Sequence, residues 1–292
     1  KYHKTGFSQT EGELFKMYRL IALDLDGTVL TSSIDILPST VEAVAYARSK
    51  GVKVIVCTGR IVGEAAVFSK EIGASSLLIS AGGAAISDVR NARNVKEWAM
   101  PWDIGAKVVE AVQNRPVTVM IYVGDRLYLN PYSDEILCNT KRTEGFWASK
   151  VVLPDVAATI REHKFPVSKV FARGDVQVLA EALAEINQLP GIHITRSAEN
   201  NFEIMPEGVN KGLALQELTQ VMGITMDEVM AIGDSDNDSD MLRIAGMPVV
   251  MGNGDEAVKK LAKYVTDTND NDGVAKAIYS AIAYNNELNK KK

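Results

Sequence analysis

The stretch DLDGTVL, residues 24–30, decides the fold prediction, and it directly follows the apolar run LIAL at residues 20–23. Two carboxylates, Asp24 and Asp26, flank one leucine, and a Gly-Thr pair comes next. A short apolar run predicts a buried strand, so both acids would lie at the carboxyl end of that strand. By itself the stretch also fits an ordinary acidic turn.

The bulk composition indicates an ordinary soluble protein of about two domains. The chain has 292 residues, of which 46% are hydrophobic and 24% charged, with a net charge of -5. This balance disfavours nucleic acid or a membrane as partner. Two cysteines favour a reducing compartment, so we predict a cytoplasmic location. Three scattered histidines disfavour a zinc site or a histidine-based triad.

Residues 1–16 show no clean hydrophobic period and precede Met17. We expect a leader or a disordered arm there, and the fold prediction starts at residue 17.

The segment 17–97 alternates predicted strands with predicted helices. After the first strand, residues 39–51 predict a helix, in which Ser39 and Glu42 have the spacing of a capping box. A strand, a helix and another strand follow up to residue 80. Strands separated by helices of this length predict a parallel sheet with right-handed crossovers.

The middle segment, residues 98–204, has a different pattern, with a hairpin signal at Gly124-Asp125 followed by strand, helix and strand. Residues 205–292 return to the first pattern and include a predicted helix at 255–264. The prediction is therefore an α/β protein, with a Rossmann-like three-layer core of parallel strands that an α+β domain interrupts.

Three predicted strands end in residues suited to chemistry: Asp24, the Thr58-Gly59 pair and Asp234. In open α/β sheets, ligands bind outside the carboxyl ends of the strands. In isolation, Thr58-Gly59 fits a simple strand-to-helix turn better. Lys211 falls in the first turn of a predicted helix, where a solvent-exposed lysine or a phosphate contact would fit.

The stretch GDSDNDSD, residues 233–240, carries four aspartates in seven residues. Helix capping explains some of them. If Asp24, Asp26 and Asp234 converge, each pair of charges about 4 Å apart repels by about 4 kcal/mol at an effective dielectric constant near 20. A divalent cation would offset that repulsion, and hard oxygen ligands suit Mg²⁺. An EF-hand is disfavoured because Ser239 and Ala245 occupy its glycine and glutamate positions. The stretch GNGDEA, residues 252–257, is interpreted as a tight turn.

Together these motifs resemble the haloacid dehalogenase (HAD) superfamily of phosphohydrolases, in which D-x-D-G-T, a threonine, a lysine and G-D-x-x-N-D follow in this order. The stretches FEIMPEGVNKG and GDSDND resemble the Cof-type subgroup with a type IIB cap. The likeness covers about residues 17 to 285, with the cap at 98–204 matched by layout more than by motif.

The resemblance implies a Mg²⁺-dependent phosphatase of small phosphorylated metabolites, such as sugar phosphates, with an aspartyl-phosphate intermediate. Asp24 would be the nucleophile and Asp26 the general acid and base. The Asp24 carboxylate, the Asp26 carbonyl oxygen and Asp234 would hold the metal. The phosphate would be bound by Thr58, Gly59, Lys211 and Asn237. Asp238 would support either the metal or Lys211.

One departure from the family is Gly82-Gly83, where members often have Asn-Gly. In the family that asparagine can contact the substrate or the cap, so its absence here leaves the predicted orientation of the substrate open. Two other functions stay open as well. A phosphomutase of the same fold would transfer the phosphoryl group to a sugar, and a non-catalytic module would only bind phosphate or metal.

Overall fold

The computed structural model describes residues 17–196 and 198–290, so the predicted leader lies outside the described residues. From residue 20 to residue 80 the elements are β1 (Leu20–Leu23), α1 (Pro38–Ser49), β2 (Lys53–Val56), α2 (Val62–Glu71) and β3 (Leu77–Ser80). The middle of the chain contains β4 (Ala85–Asp88), β5 (Arg93–Glu97), α3 (Trp102–Gln113), β6 (Thr118–Val123), β7 (Arg126–Leu129), α4 (Pro131–Leu137), α5 (Glu144–Ser149), β8 (Lys150–Val152), α6 (Val156–His163), β9 (Lys169–Arg173), α7 (Val176–Ile186), β10 (Ile192–Thr195) and β11 (Asn201–Pro206). The last part contains α8 (Lys211–Met222), β12 (Val229–Gly233), α9 (Ser239–Ile244), β13 (Met247–Val250), α10 (Glu256–Lys259), β14 (Tyr264–Val265) and α11 (Gly273–Lys290).

The described chain divides into two compact units. The first contains residues 17–58, 68–79 and 211–290, and the second contains residues 59–67 and 80–210. The second unit therefore includes two short segments that precede the predicted cap at 98–204. The predicted domain division, with the core at 17–97 and 205–292 and the cap at 98–204, stays a proposal.

A parallel sheet of five strands forms the centre of the first unit, in the order β14-β13-β12-β1-β2. Strand β1 lies between β12 and β2, and Leu23 pairs with Ile232 on one side and Val56 on the other. All four residues of β1 are fully buried, as expected for a parallel strand that is covered on both faces. The predicted α/β core with a parallel sheet is confirmed.

Two local predictions in this unit are wrong. Helix α1 begins at Pro38, with Leu37 as its N-cap and no side-chain capping bond, because proline is well suited to the first helical position. Ser39 instead donates to the Asp272 carboxylate at 2.6 Å. Helix α10 covers only Glu256–Lys259, much less than the predicted 255–264, and β14 follows it.

The second unit has a mixed sheet of six strands in the order β10-β11-β9-β6-β7-β8. The predicted hairpin is present, since β6 and β7 pair antiparallel around Gly124-Asp125 and Val123 pairs with Arg126. Helices α3, α6 and α7 contribute buried apolar side chains to a core with this sheet. The inserted α+β architecture is therefore confirmed.

Over residues 17–196 and 198–290, no helix combines the length and the apolar character that a membrane span requires.

Candidate active site

Asp24 lies directly after β1, at the carboxyl end of the central strand of the first unit. Its N–H donates to the carbonyl of Ile232 at 3.0 Å, and the N–H of Cys57 donates to the carbonyl of Leu23 at 2.7 Å. The residue is only 4% exposed. The ladder bonds thus place a buried carboxylate where three neighbouring parallel strands end, which is where such sheets bind ligands.

Lys211, the first residue of α8, is fully buried against this carboxylate. Its Nζ lies 2.7 Å from Asp24 Oδ1 and 2.7 Å from Asp238 Oδ1, and it also contacts Asn237 Oδ1 at 3.4 Å. The three partners come from two different loops, so the ammonium connects the end of β1 to the loop after β12.

Asp238 uses both of its carboxylate oxygens within the site. Oδ1 accepts from Lys211, whereas Oδ2 accepts from the N–H groups of Asp234 at 3.0 Å and Ser235 at 3.3 Å. A Cβ on Gly233 would lie 2.5 Å from the Asp238 Cγ, so only glycine allows this approach. Asp238 is therefore placed to orient the loop and the lysine.

Asp234 faces the turn that follows Asp24 and Asp26. Its Oδ1 accepts from the Thr28 hydroxyl at 3.2 Å. Gly27 lies against the same carboxylate, with φ of +78°, and a Cβ there would stand 2.8 Å from the Asp234 Cγ. Both the left-handed backbone and the close approach require glycine at position 27.

The carboxylates of Asp24, Asp234 and Asp238 each offer an oxygen, and these three oxygens lie within 4.8 Å of one another. Such a set of hard oxygen donors has the chemistry that Mg²⁺ prefers. Both oxygens of Asp238 already accept hydrogen bonds, which favours Asp24 and Asp234 as direct metal ligands. The residues present therefore fit a divalent cation.

The electrostatics of the cluster support the same conclusion. Burial raises the pKa of Asp24 well above 3.8 against the attraction of Lys211, and the charges of Asp238, Asp234 and Asp26 raise it further. Burial and Asp238 raise the pKa of Asp234 from 3.8 to about 7. Burial opposes the charge on Lys211, but Asp238 and Asp24 raise its pKa well above 10.5. The cluster thus holds more negative charge than its single lysine balances.

The other predicted residues occupy different environments. Asp26 is exposed, two residues after the buried Asp24, and forms a parallel bridge with Leu30. Thr58 is fully buried after β2, and its N–H donates to the carbonyl of Ile79 at 2.9 Å. Gly59 begins a segment that belongs to the second unit, so the predicted phosphate ligands do not all lie in one unit.

Asn253 is a site-supporting residue that the sequence analysis missed. Its Nδ2 donates to the carbonyl of Gly27 at 2.8 Å, and its Oδ1 accepts from the N–H of Asn269 at 2.9 Å. The N–H of Asp255 donates to the carbonyl of Asp234 at 2.9 Å. The predicted tight turn is present, and it also holds the two acidic loops. The asparagine between two glycines, in Gly252-Asn253-Gly254, was the sequence signal that could have indicated this supporting role.

A family model described as haloacid dehalogenase-like hydrolase matches residues 21–278. The chain belongs to this family. Its fold agrees with the resemblance in the sequence.

Similar proteins of known class extend this assignment. The 5-amino-6-(5-phospho-D-ribitylamino)uracil phosphatase YcsE of Bacillus subtilis is 34% identical over 89% of this chain and 94% of its own. The pyridoxal phosphate phosphatase YbhA of Escherichia coli is 28% identical over 90% and 98%. The structure of the HAD subclass IIB sugar phosphatase BT4131 aligns with a TM-score of 0.74 over 89% and 98%, at 24% identity, and shows the fold. This HAD hydrolase is thus an enzyme of the phosphatase class.

Proposed function

We propose that this HAD phosphatase is a Mg²⁺-dependent phosphohydrolase that removes phosphate from small phosphorylated metabolites through an aspartyl-phosphate. The observation that carries the proposal is the environment of Asp24. It is a buried carboxylate at a strand end, 2.7 Å from a buried lysine and within a cluster of three acids. That combination suits a nucleophile next to bound phosphate.

In the first proposed step, an Asp24 carboxylate oxygen attacks the phosphorus atom and the bond from phosphorus to the ester oxygen breaks. Asp26 gives its proton to that leaving oxygen. Asp26 is exposed to solvent, whereas Asp24 is buried. The different surroundings of the two acids support their different roles.

In the second proposed step, a water molecule attacks the phosphorus atom of the aspartyl-phosphate and Asp26 takes up its proton. The bond between phosphorus and the Asp24 oxygen breaks, which releases inorganic phosphate and restores the carboxylate. We propose Lys211, Asn237, the Thr58 hydroxyl and the Gly59 N–H as ligands of the phosphoryl oxygens. Asp238 supports Lys211, to which it bonds at 2.7 Å.

The proposed metal ligands are the carboxylates of Asp24 and Asp234 and the carbonyl oxygen of Asp26. A bound Mg²⁺ would neutralise charge on the phosphoryl group and on the converging carboxylates. The raised pKa of Asp234 supports this assignment, because it reports repulsion and burial that a divalent cation relieves. The Thr28 hydroxyl holds that carboxylate in place.

The proposed substrates are phosphate monoesters of small metabolites. By their names, the relatives act on a phosphoribitylamino-uracil and on pyridoxal phosphate. Their variety supports a screen that includes both compounds and a range of sugar phosphates. We also propose a cytoplasmic location, which two free cysteines, Cys57 and Cys138, support.

Phosphate release from p-nitrophenyl phosphate and from this substrate panel tests the proposal. We expect turnover with Mg²⁺, none after chelation, and loss of turnover in Asp24→Asn, with a beryllofluoride adduct in the native enzyme. Asp103→Asn, in the first turn of α3, is the matched control and keeps full activity. Unchanged turnover in Asp24→Asn would exclude the nucleophile assignment. A sugar-phosphate isomer with little free phosphate would indicate a mutase.

A further inference from the structure

A second buried lysine lies in the second unit, on strand β9. Lys169 is 1% exposed, and its Nζ lies 2.7 Å from Glu203 Oε2 on β11. The same Nζ donates to the carbonyl of Gly59 at 3.0 Å and lies 5.2 Å from the ring centroid of Tyr122. One buried cation thus connects two strands to the backbone of a distant segment.

The coordination of this ammonium identifies its role. The Lys169 ammonium donates a hydrogen bond to the Gly59 carbonyl, forms an ion pair with Glu203 and lies near the face of the Tyr122 ring. A buried charge with an opposite charge and a carbonyl acceptor beside it is stable where it is. A lysine that binds substrate would need an N–H directed at the ligand, so the geometry favours a framework role.

Two glycines show how closely the backbone approaches the pair formed by Lys169 and Glu203. A Cβ on Gly59 would lie 3.2 Å from the Lys169 Nζ. A Cβ on Gly82 would lie 3.6 Å from Glu203 Oε2 and 2.9 Å from the sulfur of Met205. Both segments, which are far apart in sequence, therefore lie directly against this ion pair.

We propose that Lys169 and Glu203 are positioning residues that hold the Gly59 carbonyl and thereby restrain the Gly59 N–H, which is proposed to bind a phosphoryl oxygen. The Gly59 carbonyl accepts a hydrogen bond from the Lys169 Nζ at 3.0 Å. This carbonyl belongs to the peptide between residues 59 and 60, and the Gly59 N–H belongs to the peptide on the other side of the same Cα. A shift of the held carbonyl therefore changes the dihedral angles of Gly59 and redirects its N–H. The inference rests on the proposed function, in which that N–H binds the phosphate.

The test uses Lys169→Met, which keeps the length and apolar packing of the side chain but removes the donated bond. Loss of a group that orients a ligand residue typically lowers activity by about 10–100-fold. We expect kcat/KM to fall by one common factor in that range for p-nitrophenyl phosphate and for every larger substrate. The inhibition constant of orthovanadate should rise by a similar factor. Lys107→Met, an exposed lysine on α3, is the control and leaves both unchanged.

Glu203→Gln provides the graded variant, because it removes the charge of the ion pair and keeps the bond from Lys169 to the Gly59 carbonyl. We expect a smaller fall than in Lys169→Met, again equal for all substrates. If Lys169→Met does not fold, Gly59→Ala replaces it, since the added methyl displaces the Lys169 Nζ, and the same uniform loss is expected.

Two results would overturn the inference. A factor that differs strongly between substrates would make Lys169 a substrate contact. A lower melting temperature with unchanged vanadate inhibition and unchanged kcat/KM would make the pair merely structural. Asp24→Asn separates this test from the proposed function, because retained turnover in that variant removes the proposed function itself, whatever Lys169 does.

Discussion

The two units each bury a lysine, and the two lysines have different surroundings. Lys211 contacts Asp24 and Asp238, with a third carboxylate, that of Asp234, within the same cluster. Lys169 contacts one carboxylate, that of Glu203, and one carbonyl oxygen. The first cluster is strongly negative, whereas the second is balanced.

This difference separates a binding site from a framework contact. A balanced buried pair is electrostatically complete, so it can only hold the structure in place. A cluster with an excess of negative charge is relieved by a proton or by a cation from outside, which makes it a candidate functional site. Burial alone does not distinguish the two lysines, but the count of partner charges does. Substitutions at the two lysines and around the acidic cluster test this difference.

The largest effect is expected for Lys211→Met. It leaves Asp24 and Asp238 buried without their cation, and loss of one partner of a buried pair costs about 3–5 kcal/mol. We expect activity to be lost and the free energy of unfolding in urea to fall by about that amount. Lys169→Met leaves one carboxylate unpaired instead of two. An equal or larger loss of stability in Lys169→Met would contradict the comparison.

The second largest effect is expected for the pH dependence with which Mg²⁺ stabilises the folded protein. The pKa of Asp234 is raised from 3.8 to about 7, so the folded state holds the proton more tightly. Its contribution to stability is full below about pH 4 in the metal-free protein and is lost as the pH rises through 7. In the proposed function Mg²⁺ would bind the ionised form of Asp234 and would stabilise the folded protein by about 2.7 kcal/mol at one hundred times its Kd.

Thermal melts with and without Mg²⁺ measure this effect. We expect a clear rise in melting temperature at pH 8 and little at pH 5. Asp234→Asn serves as the comparison, because it removes one of the two ligand carboxylates with a raised pKa and should reduce the difference between the two pH values. Equal stabilisation at both pH values would exclude Asp234 as a metal ligand.

A smaller effect on stability is expected for Gly27→Ala. The left-handed backbone at position 27 costs about 1–2 kcal/mol with a side chain. The new methyl group also displaces the Asp234 carboxylate, so we expect weaker Mg²⁺ affinity, measured by titration calorimetry. Gly51→Ala is the matched control, since its φ is +80° and a Cβ would meet no atom within 4 Å. It should lose stability without loss of metal affinity.

The smallest effect is expected for Asn253→Ala. The side chain is exposed, and the loss of its bond to the Gly27 carbonyl costs about 0.5–1.5 kcal/mol. We expect a modest rise in the Mg²⁺ concentration needed for half-maximal activity. Asn271→Ala, which removes an exposed asparagine from a nearby turn, should leave that concentration unchanged. The same change in both variants would remove the loop-holding role of Asn253.

Local sequence patterns predicted the parts of the fold that depend on interactions between residues close in sequence. The apolar run at 20–23 is β1, and Lys211 is the first residue of α8, in agreement with its predicted place in the first turn of a helix. The capping box at Ser39 was wrong because Pro38 competes for the start of the helix. Strand β11 was not predicted, since its place depends on pairing with β9 and β10 and not on its own sequence.

The contacts of the site were likewise predictable where they depend on local structure and not where they depend on residues far apart in sequence. Parallel strands that end together made the meeting of Asp24 with the loop after β12 predictable. The contact of Asn253 with Gly27 spans 226 residues, and no local pattern encodes such a distance. The ion pair of Lys169 was not predicted either, because strands give no sign of the partner that an inward lysine meets.

The two carboxylates around Lys211 have a consequence for product release. When inorganic phosphate departs, the ammonium retains Asp24 and Asp238 as partners, each at 2.7 Å, so no bare cation is left behind. In the proposed mechanism the leaving anion would compete with these two internal anions for the same N–H groups. We therefore expect weak binding of the product, with inhibition by free phosphate only at high concentration.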